Sequence, residues 1–322
     1  MINDPLARLG TLCENWVAES KPWTNVYGLA RTLLATGTAA TLVFNRSTTL
    51  FRPLPGISEV PVCYGISRIG LFCLVPHHLE MARWIAVAIL LVVASGCYPR
   101  FTGPLHWWVS FSLASSSVLI DGGDQVSAIL TLLLLPVTQT DWRKWHWQNS
   151  DYKTMEFPQW KRLLALSALL AVRVQVAGIY FHAAVGKLRV QEWTDGTALY
   201  YWFIDPDFGA PRPLLWVLRP VLIHGTTLAL MTWGSMLLEF SLFMALVMPK
   251  SAWGFFLRLG IAFHVMIALI HGLVSFGFAM TAALILYLRP TEEPFILPNF
   301  LRSRKPAAPH PLASTASPSS AL

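Results

Sequence analysis

The chain is expected to fold as an all-α, polytopic transmembrane helix bundle of about eight spans plus interfacial helices. Three observations predict this. Of 322 residues, 54% are hydrophobic and 13% charged, where a soluble domain carries about 25% charged residues. The mean hydropathy is +0.51. The apolar residues also gather into runs of roughly 20, the length a helix needs to cross the hydrocarbon of a bilayer.

Residues 1–24 lack a basic region followed by an uninterrupted apolar core, so they are expected to be a cytoplasmic segment and not a cleaved signal. The first apolar run then acts as its own insertion signal. Spans are expected at 25–44, 79–97, 104–120, 123–139, 160–187, 222–248, 254–271 and 274–289. The third and fourth are short and joined by DGGD at 121–124, which predicts a tight helical hairpin. Residues 57–76 are apolar but broken by Pro and Gly and carry Arg68, so they read as interfacial or re-entrant, held against protein. Residues 208–221 read as an interfacial helix. There Arg212 and Arg219 snorkel while Leu214, Leu215 and Leu218 enter the boundary. The bundle therefore occupies 25–290. Residues 291–322, rich in Pro, Ser and Ala after Lys305, are expected to be a disordered cytoplasmic tail.

Lys and Arg outnumber Asp and Glu, 24 to 17. Basic loops orient a membrane protein, and no RNA-recognition or zinc-finger pattern is present, so no nucleic-acid partner is expected. Arg143, Lys144, Lys153, Lys161 and Arg162 place the loop at 140–162 in the cytoplasm, as Lys250 and Arg258 do for the next. Arg302, Arg304 and Lys305 place the C-terminus there too. The expected location is the cytoplasmic membrane, multi-pass in lipid, with both termini cytoplasmic. The loop at 187–221 departs from the rule: Lys187, Arg189, Arg212 and Arg219 fall outside. Tryptophans cluster at span ends, as an aromatic belt does. Cys13, Cys63, Cys73 and Cys97 form no zinc pattern, and no metal site is expected. Cys63 and Cys73 share one segment and form a disulfide if that segment is external; otherwise they are small buried residues.

Candidate chemistry concentrates in the fifth span. Arg173, Tyr180 and Lys187 recur every seven residues, one stripe of a helix, and Gln175, His182 and Arg189 form a second. A helix polar on two stripes is expected in the bundle interior or along a water-filled cleft, because ionisable groups cost roughly 2.5–3.5 kcal/mol each in a span. Lys187 is either a snorkelling lysine or a partly buried base. His182 is either a hydrogen-bonded core residue or a base. Glu239 lies within the sixth span and requires a partner or a proton. Arg173 and His264 are candidates, and an Arg173–Glu239 pair is the expected one. Asp121 and Asp124 lie on the same side as Lys187, and Asp124 also suits the N-cap of the fourth helix. No HExxH, P-loop, GxGxxG or Ser-His-Asp arrangement is present, which removes support for zinc hydrolases, serine proteases and nucleotide-driven machines.

Three stretches carry a resemblance: GGDQVSAILTLLLLPVTQTDWRKWHW at 122–147, YFHAAVGKLRVQEWTDGTALYYW at 180–202 and LLEFSLF at 237–243. Together the chain resembles the sporulation-delaying protein B family, within a wider membrane domain shared with vitamin K-dependent gamma-glutamyl carboxylase. In the carboxylase the matching helix reads Tyr-Phe-x-Ala, then two lysines and a leucine, then a Trp. The second lysine is the base that deprotonates reduced vitamin K. It falls on Lys187, and Gly186 replaces the first.

The resemblance implies an integral membrane protein required for maturation of a secreted antimicrobial peptide toxin. Its implied partners are the peptide precursor and a small accessory protein. The implied site is an outward-facing cleft at the end of span five. Lys187, His182 and Tyr180 are its catalytic candidates. Arg173, Trp193, Asp195, Asp121, Asp124, Glu239 and His264 are expected to line it. The carboxylase relationship implies a reduced quinone as cofactor and a peptide-modifying enzyme; nothing in the residues themselves reads out a quinone. Two other functions fit the same cleft. One is a quinone-dependent carboxylase-like or oxidoreductase enzyme. The other is a non-enzymatic peptide carrier, immunity or transport partner, for which Met231, Met236, Met244 and Met248 supply adaptable apolar contacts.

Overall fold

A computed structural model of the chain describes residues 5–57, 59–148 and 158–296. It is 75% helical, with no strand among the described residues. The principal helices are α1 (Pro5–Glu19), α2 (Asn25–Phe44), α3 (Leu79–Ser95), α4 (Pro99–Ser116), α5 (Gly122–Leu133) and α6 (Leu135–Thr140). They continue as α7 (Gln159–Lys187), α8 (Ala198–Ile204), α9 (Arg212–Ile223), α10 (Gly225–Met244), α11 (Lys250–His271) and α12 (Val274–Leu288).

A helix stands at each of the eight expected segments, with corrected limits. Four helices, Pro76–Ser95, Gln159–Lys187, Gly225–Met244 and Lys250–His271, are long and apolar enough to cross a membrane. The fourth segment is two helices rather than one. Its break at Leu134 precedes Pro136, which lacks an N–H and crowds the carbonyl four residues back. The sixth begins at Gly225 and not at 222, because α9 ends at Ile223 and His224 is extended.

The shortest of the eight that is unbroken, α12, is the centre. It is apolar on every face and buried along ten of its fifteen residues, as expected of a helix surrounded by others. Around it Val26, Tyr27 and Leu34 of α2, Leu130 of α5, Val172 and Val176 of α7 and Leu242 of α10 form the main core. The opposite face of α2 packs Ala35, Ala39 and Leu42 against Ala86 and Leu90 of α3 and Val109 and Leu113 of α4. A polar sequence feature makes the tight entry to α5. Gly123 abuts the start of α12 so closely that a Cβ there meets Phe276 Cα at 2.6 Å.

On the outside, α10 and α11 expose Leu230, Leu237, Phe240, Phe255, Val265 and Leu269. Water penalises such a surface and acyl chains do not. The chain is a membrane protein by this measure. Between α2 and α3 lie short helical turns, Gly65–Ile69 and Leu71–Leu74 among them, tied by a Cys63–Cys73 disulfide. The interfacial helix read at 208–221 is α9. Arg212 and Arg219 are exposed as expected, but Leu214, Leu215 and Leu218 pack on Phe203, Leu222 and Leu228 of the protein itself.

The end of the 1–24 segment is anchored to the bundle. Trp23 is buried and donates its Nε1–H to Val137 O and Thr140 Oγ1, at 3.2 and 3.1 Å. The tail expected from 291 onward begins tied to α2. Phe295 N donates to Asn25 Oδ1 and Asn25 Nδ2 donates to Phe295 O, both at 2.8 Å. Residues 297–322 lie outside the described residues.

Candidate functional site

The stripe Arg173, Tyr180, Lys187 runs along one face of α7, and all three side chains turn into protein. At the last turn Lys187 Nζ donates to both oxygens of Glu239, at 2.7 and 2.6 Å. Glu239 comes from α10, which packs along α7. One repeat back, the Tyr180 hydroxyl meets His264 Nε2 of α11 at 2.8 Å. Tyr180, Glu239 and His264 are 2%, 7% and 3% exposed. The rings of Phe263 and Phe276 close on His264 with centroids 5.1 and 5.4 Å away. An acid, an amine, a phenol and an imidazole from three helices thus share one buried site.

The pairing expected for Glu239 is overturned. Arg173 sits fourteen residues from Lys187, about 21 Å along the helix axis, and the carboxylate lies at the level of Lys187. Arg173 instead stacks over Trp253, 4.1 Å from its ring centroid. It lines a cavity of about 170 Å³ with Trp16, Lys250, Tyr287 and Glu292 at the far end of the bundle.

The cluster is roofed by the chain that follows α7. A turn at Gln191–Thr194 brings the Trp193 ring to 5.0 Å from Lys187 Nζ. Trp233 Nε1 of α10 donates to Thr194 O at 3.2 Å. Gly196 makes the approach feasible: its φ is +79°, and a Cβ would stand 2.7 Å from that of Ala229. Beside Trp193 an open hollow of about 210 Å³ is lined by Val190, Glu192, Trp193, Ala198, Tyr201 and Trp202. A second hollow of about 270 Å³, lined by Phe203, Met231, Leu238, Phe263, Met266 and His271 among others, lies between α8, α10 and α11.

Besides Arg173, four expected site residues are not in this cluster. His182 is exposed, because five residues from Lys187 place it about 140° around the helix. The second polar stripe therefore faces outward. Asp195 is exposed in the turn after Trp193. Asp121 and Asp124 form their own group. Asp121, and not Asp124, is the N-cap of α5: its Oδ1 accepts the Asp124 N–H at 2.9 Å. Ser275 Oγ donates to Asp121 Oδ2 at 2.5 Å and Thr41 Oγ1 to Asp124 at 3.2 Å. These residues line a cavity of about 200 Å³ with Asn45 and Gly272. Phe276 stands between the two groups, packing on His264 and flanking Gly122.

One buried polar side chain of α10 escaped the sequence reading. Thr232 is fully buried on α10 with its hydroxyl unpartnered among the described residues, as is His264 Nδ1. Thr232 precedes Glu239 by seven residues, so the same heptad spacing that exposed the α7 stripe was available for it. Among the described residues no group of three or more His, Cys, Asp or Glu converges as a metal centre.

No family model and no solved structure matches the chain. Two proteins of Bacillus subtilis (strain 168) do. It is 40% identical over 278 residues to the uncharacterized protein YitO, covering 85% of this chain and 88% of that one. It is 34% identical over 283 residues to the sporulation-delaying protein SdpB, covering 87% of this chain and 86% of that one. With that identity over nearly the full length of both proteins, the chain belongs to the sporulation-delaying protein B family.

Proposed function

We propose that this protein acts in the production of a secreted antimicrobial peptide toxin, through the Lys187–Glu239–Tyr180–His264 cluster. The observation that carries the reading is the Lys187–Glu239 ion pair at 2.6 Å, set in an apolar bundle. A chain needing only to span lipid gains nothing from that pair, since apolar residues of the same volume serve stability equally well or better. The kinship with SdpB supplies the process.

In this reading all eight segments span the membrane, both termini are cytoplasmic, and the Lys187 end faces outward. The cysteines support it. Cys63 and Cys73 are bonded in the segment at the Lys187 end, whereas Cys97, beside Trp145 at the other end, is free. Disulfides persist outside the cell and thiols inside it. The hollow beside Trp193 is the outward mouth through which precursor and accessory protein reach Lys187. The 2.6 Å contact gives Lys187 a route to pass a proton to Glu239, after which its amine serves as a base. Tyr180 and His264 then hold the next hydrogen bond inward. The test is toxin activity in cells carrying Lys187→Ala at unchanged protein level: the reading expects loss, and full activity removes Lys187 from the process.

A second reading, a quinone-dependent carboxylase-like enzyme, is favoured by the aromatic hollow of Trp193, Tyr201 and Trp202. A planar ring fits between such side chains. Reduced quinone supplies an acidic hydroxyl when bound; Lys187 Nζ receives its proton. This reading expects quinone depletion to abolish activity and mass spectrometry to find a covalent change in the peptide beyond cleavage. An unmodified, merely cleaved peptide contradicts it.

A further inference from the structure

The end of the bundle opposite Lys187 holds a second polar cluster that the proposed function does not use. Arg31, on α2, is 1% exposed. Its Nη2 donates to Thr102 Oγ1 of α4 at 2.6 Å. Its Nε and Nη1 have no partner among the described residues. A guanidinium withdrawn from water demands a countercharge and full hydrogen bonding. Asp141 is the carboxylate close enough to act on it electrostatically, but Asp141 is already occupied. Arg143 Nε and Nη2 donate to it at 2.9 and 2.7 Å, and the Tyr27 hydroxyl completes its shell.

Other buried groups on α2 and α4 lack partners among the described residues. His106 on α4 is 2% exposed, with Nε2 unpaired, and lies within electrostatic reach of Arg31. The hydroxyls of Thr38 and Ser110 are buried and unpaired as well. Helical spacing places His106 one turn beyond Thr102 on α4, toward the same level as the Arg31 guanidinium that Thr102 holds. Thr38 and Ser110 lie about 10–12 Å further along their helices. Running the other way, α5 meets α2 at Thr41–Asp124, which brings buried Ser127 to the same level. Every orphan group on this line is able to donate a hydrogen bond, and the one fixed charge among them is positive. His146, at the same end, turns its Nε2 to Thr32 Oγ1 at 3.3 Å. A bridging water accepts hydrogen bonds but leaves the guanidinium charge without a counterion.

We propose that Arg31 and His106 form a buried binding site for one small monovalent anion, of the halide class, between α2 and α4. Thr102 anchors the guanidinium through its hydroxyl. The site is separate from the Lys187 cluster and stands whether or not that cluster acts on a peptide.

The experiment uses the full chain purified in detergent micelles. Radiolabelled chloride binding is measured alongside thermal unfolding in chloride, bromide and gluconate at one ionic strength. The proposal expects saturable binding of one chloride per chain and a higher melting temperature in chloride and bromide than in gluconate. Arg31→Gln loses at least about tenfold in affinity, and Arg31→Lys, which keeps the charge, loses less. Because Arg31→Gln risks misfolding, His106→Leu provides a second variant with weakened binding, and the wild-type measurement is decisive alone. No saturable binding, with equal melting in the three salts, overturns the proposal and leaves water as the only occupant.

Discussion

Lys187 and Glu239 meet across α7 and α10 with both carboxylate oxygens within hydrogen-bond distance of one ammonium nitrogen, at 2.7 and 2.6 Å. The acid is nearly enclosed and the lysine side chain retains 21% of its exposure. The pair is therefore stabilised by proximity and low dielectric while keeping a route to the outside. The predictions below follow from that balance and from the contacts around it.

Removing one partner leaves the other buried and uncompensated. Lys187→Met is expected to destabilise the purified protein by about 3 kcal/mol, read as a lower thermal midpoint in detergent. Adding Glu239→Leu to it should recover most of the loss, because an apolar pair of similar volume suits the same space. A double variant no more stable than the single one would mean that the carboxylate contributes nothing once the lysine is gone.

Tyr180→Phe takes away the one hydrogen bond to His264 Nε2 and leaves that atom buried among Phe263 and Phe276. The expected cost is about 1–3 kcal/mol, measured the same way. The loss should be smaller in a variant that also carries His264→Leu, since no orphan nitrogen then remains.

The proposed orientation separates the cysteines by compartment. In intact cells, a membrane-impermeant maleimide should not label Cys97, and it should label Cys63 and Cys73 only after an external reductant is added. Opening the bond should also cost roughly 2–3 kcal/mol, by freeing a short loop in the unfolded chain. Labelling of Cys97 from outside would invert the topology.

His146 lies outside the spans, in the loop after α6. Burial pushes its imidazole well below the usual histidine value, with the Arg31, Arg143 and His106 charges acting in the same direction. The folded state therefore holds it neutral while the unfolded chain protonates near pH 6.5. Its contribution is present above pH 6.5 and is lost as pH falls below it. Stability should decline by up to about 1.4 kcal/mol per pH unit for this proton. Denaturant unfolding of His146→Gln should show a slope shallower by one proton between pH 6.5 and 5.

How much of this was legible in sequence depended on the distance a contact spans. The stripe of Arg173, Tyr180 and Lys187 follows from helical repeat alone, and the structure turns all three inward. Which acid meets which base does not follow from repeat. It depends on the axial offset between α7 and α10. That offset gave Glu239 to Lys187 and left Arg173 to Trp253. His182 faces outward, because polarity alone does not fix an interior position. A histidine near the end of a helix longer than the hydrocarbon is thick also tolerates the exterior. Pro136 carried the information that the fourth segment breaks, and the apolar run around it concealed that.

The most direct test of the central claim uses the Lys187→Met, Glu239→Leu double variant in producing cells, with membrane protein level and thermal midpoint matched to wild type. Secreted toxin activity is then measured. The account predicts that the fold survives and toxin activity disappears. Undiminished toxin from a stable double variant would contradict it and reduce the pair to a packing element.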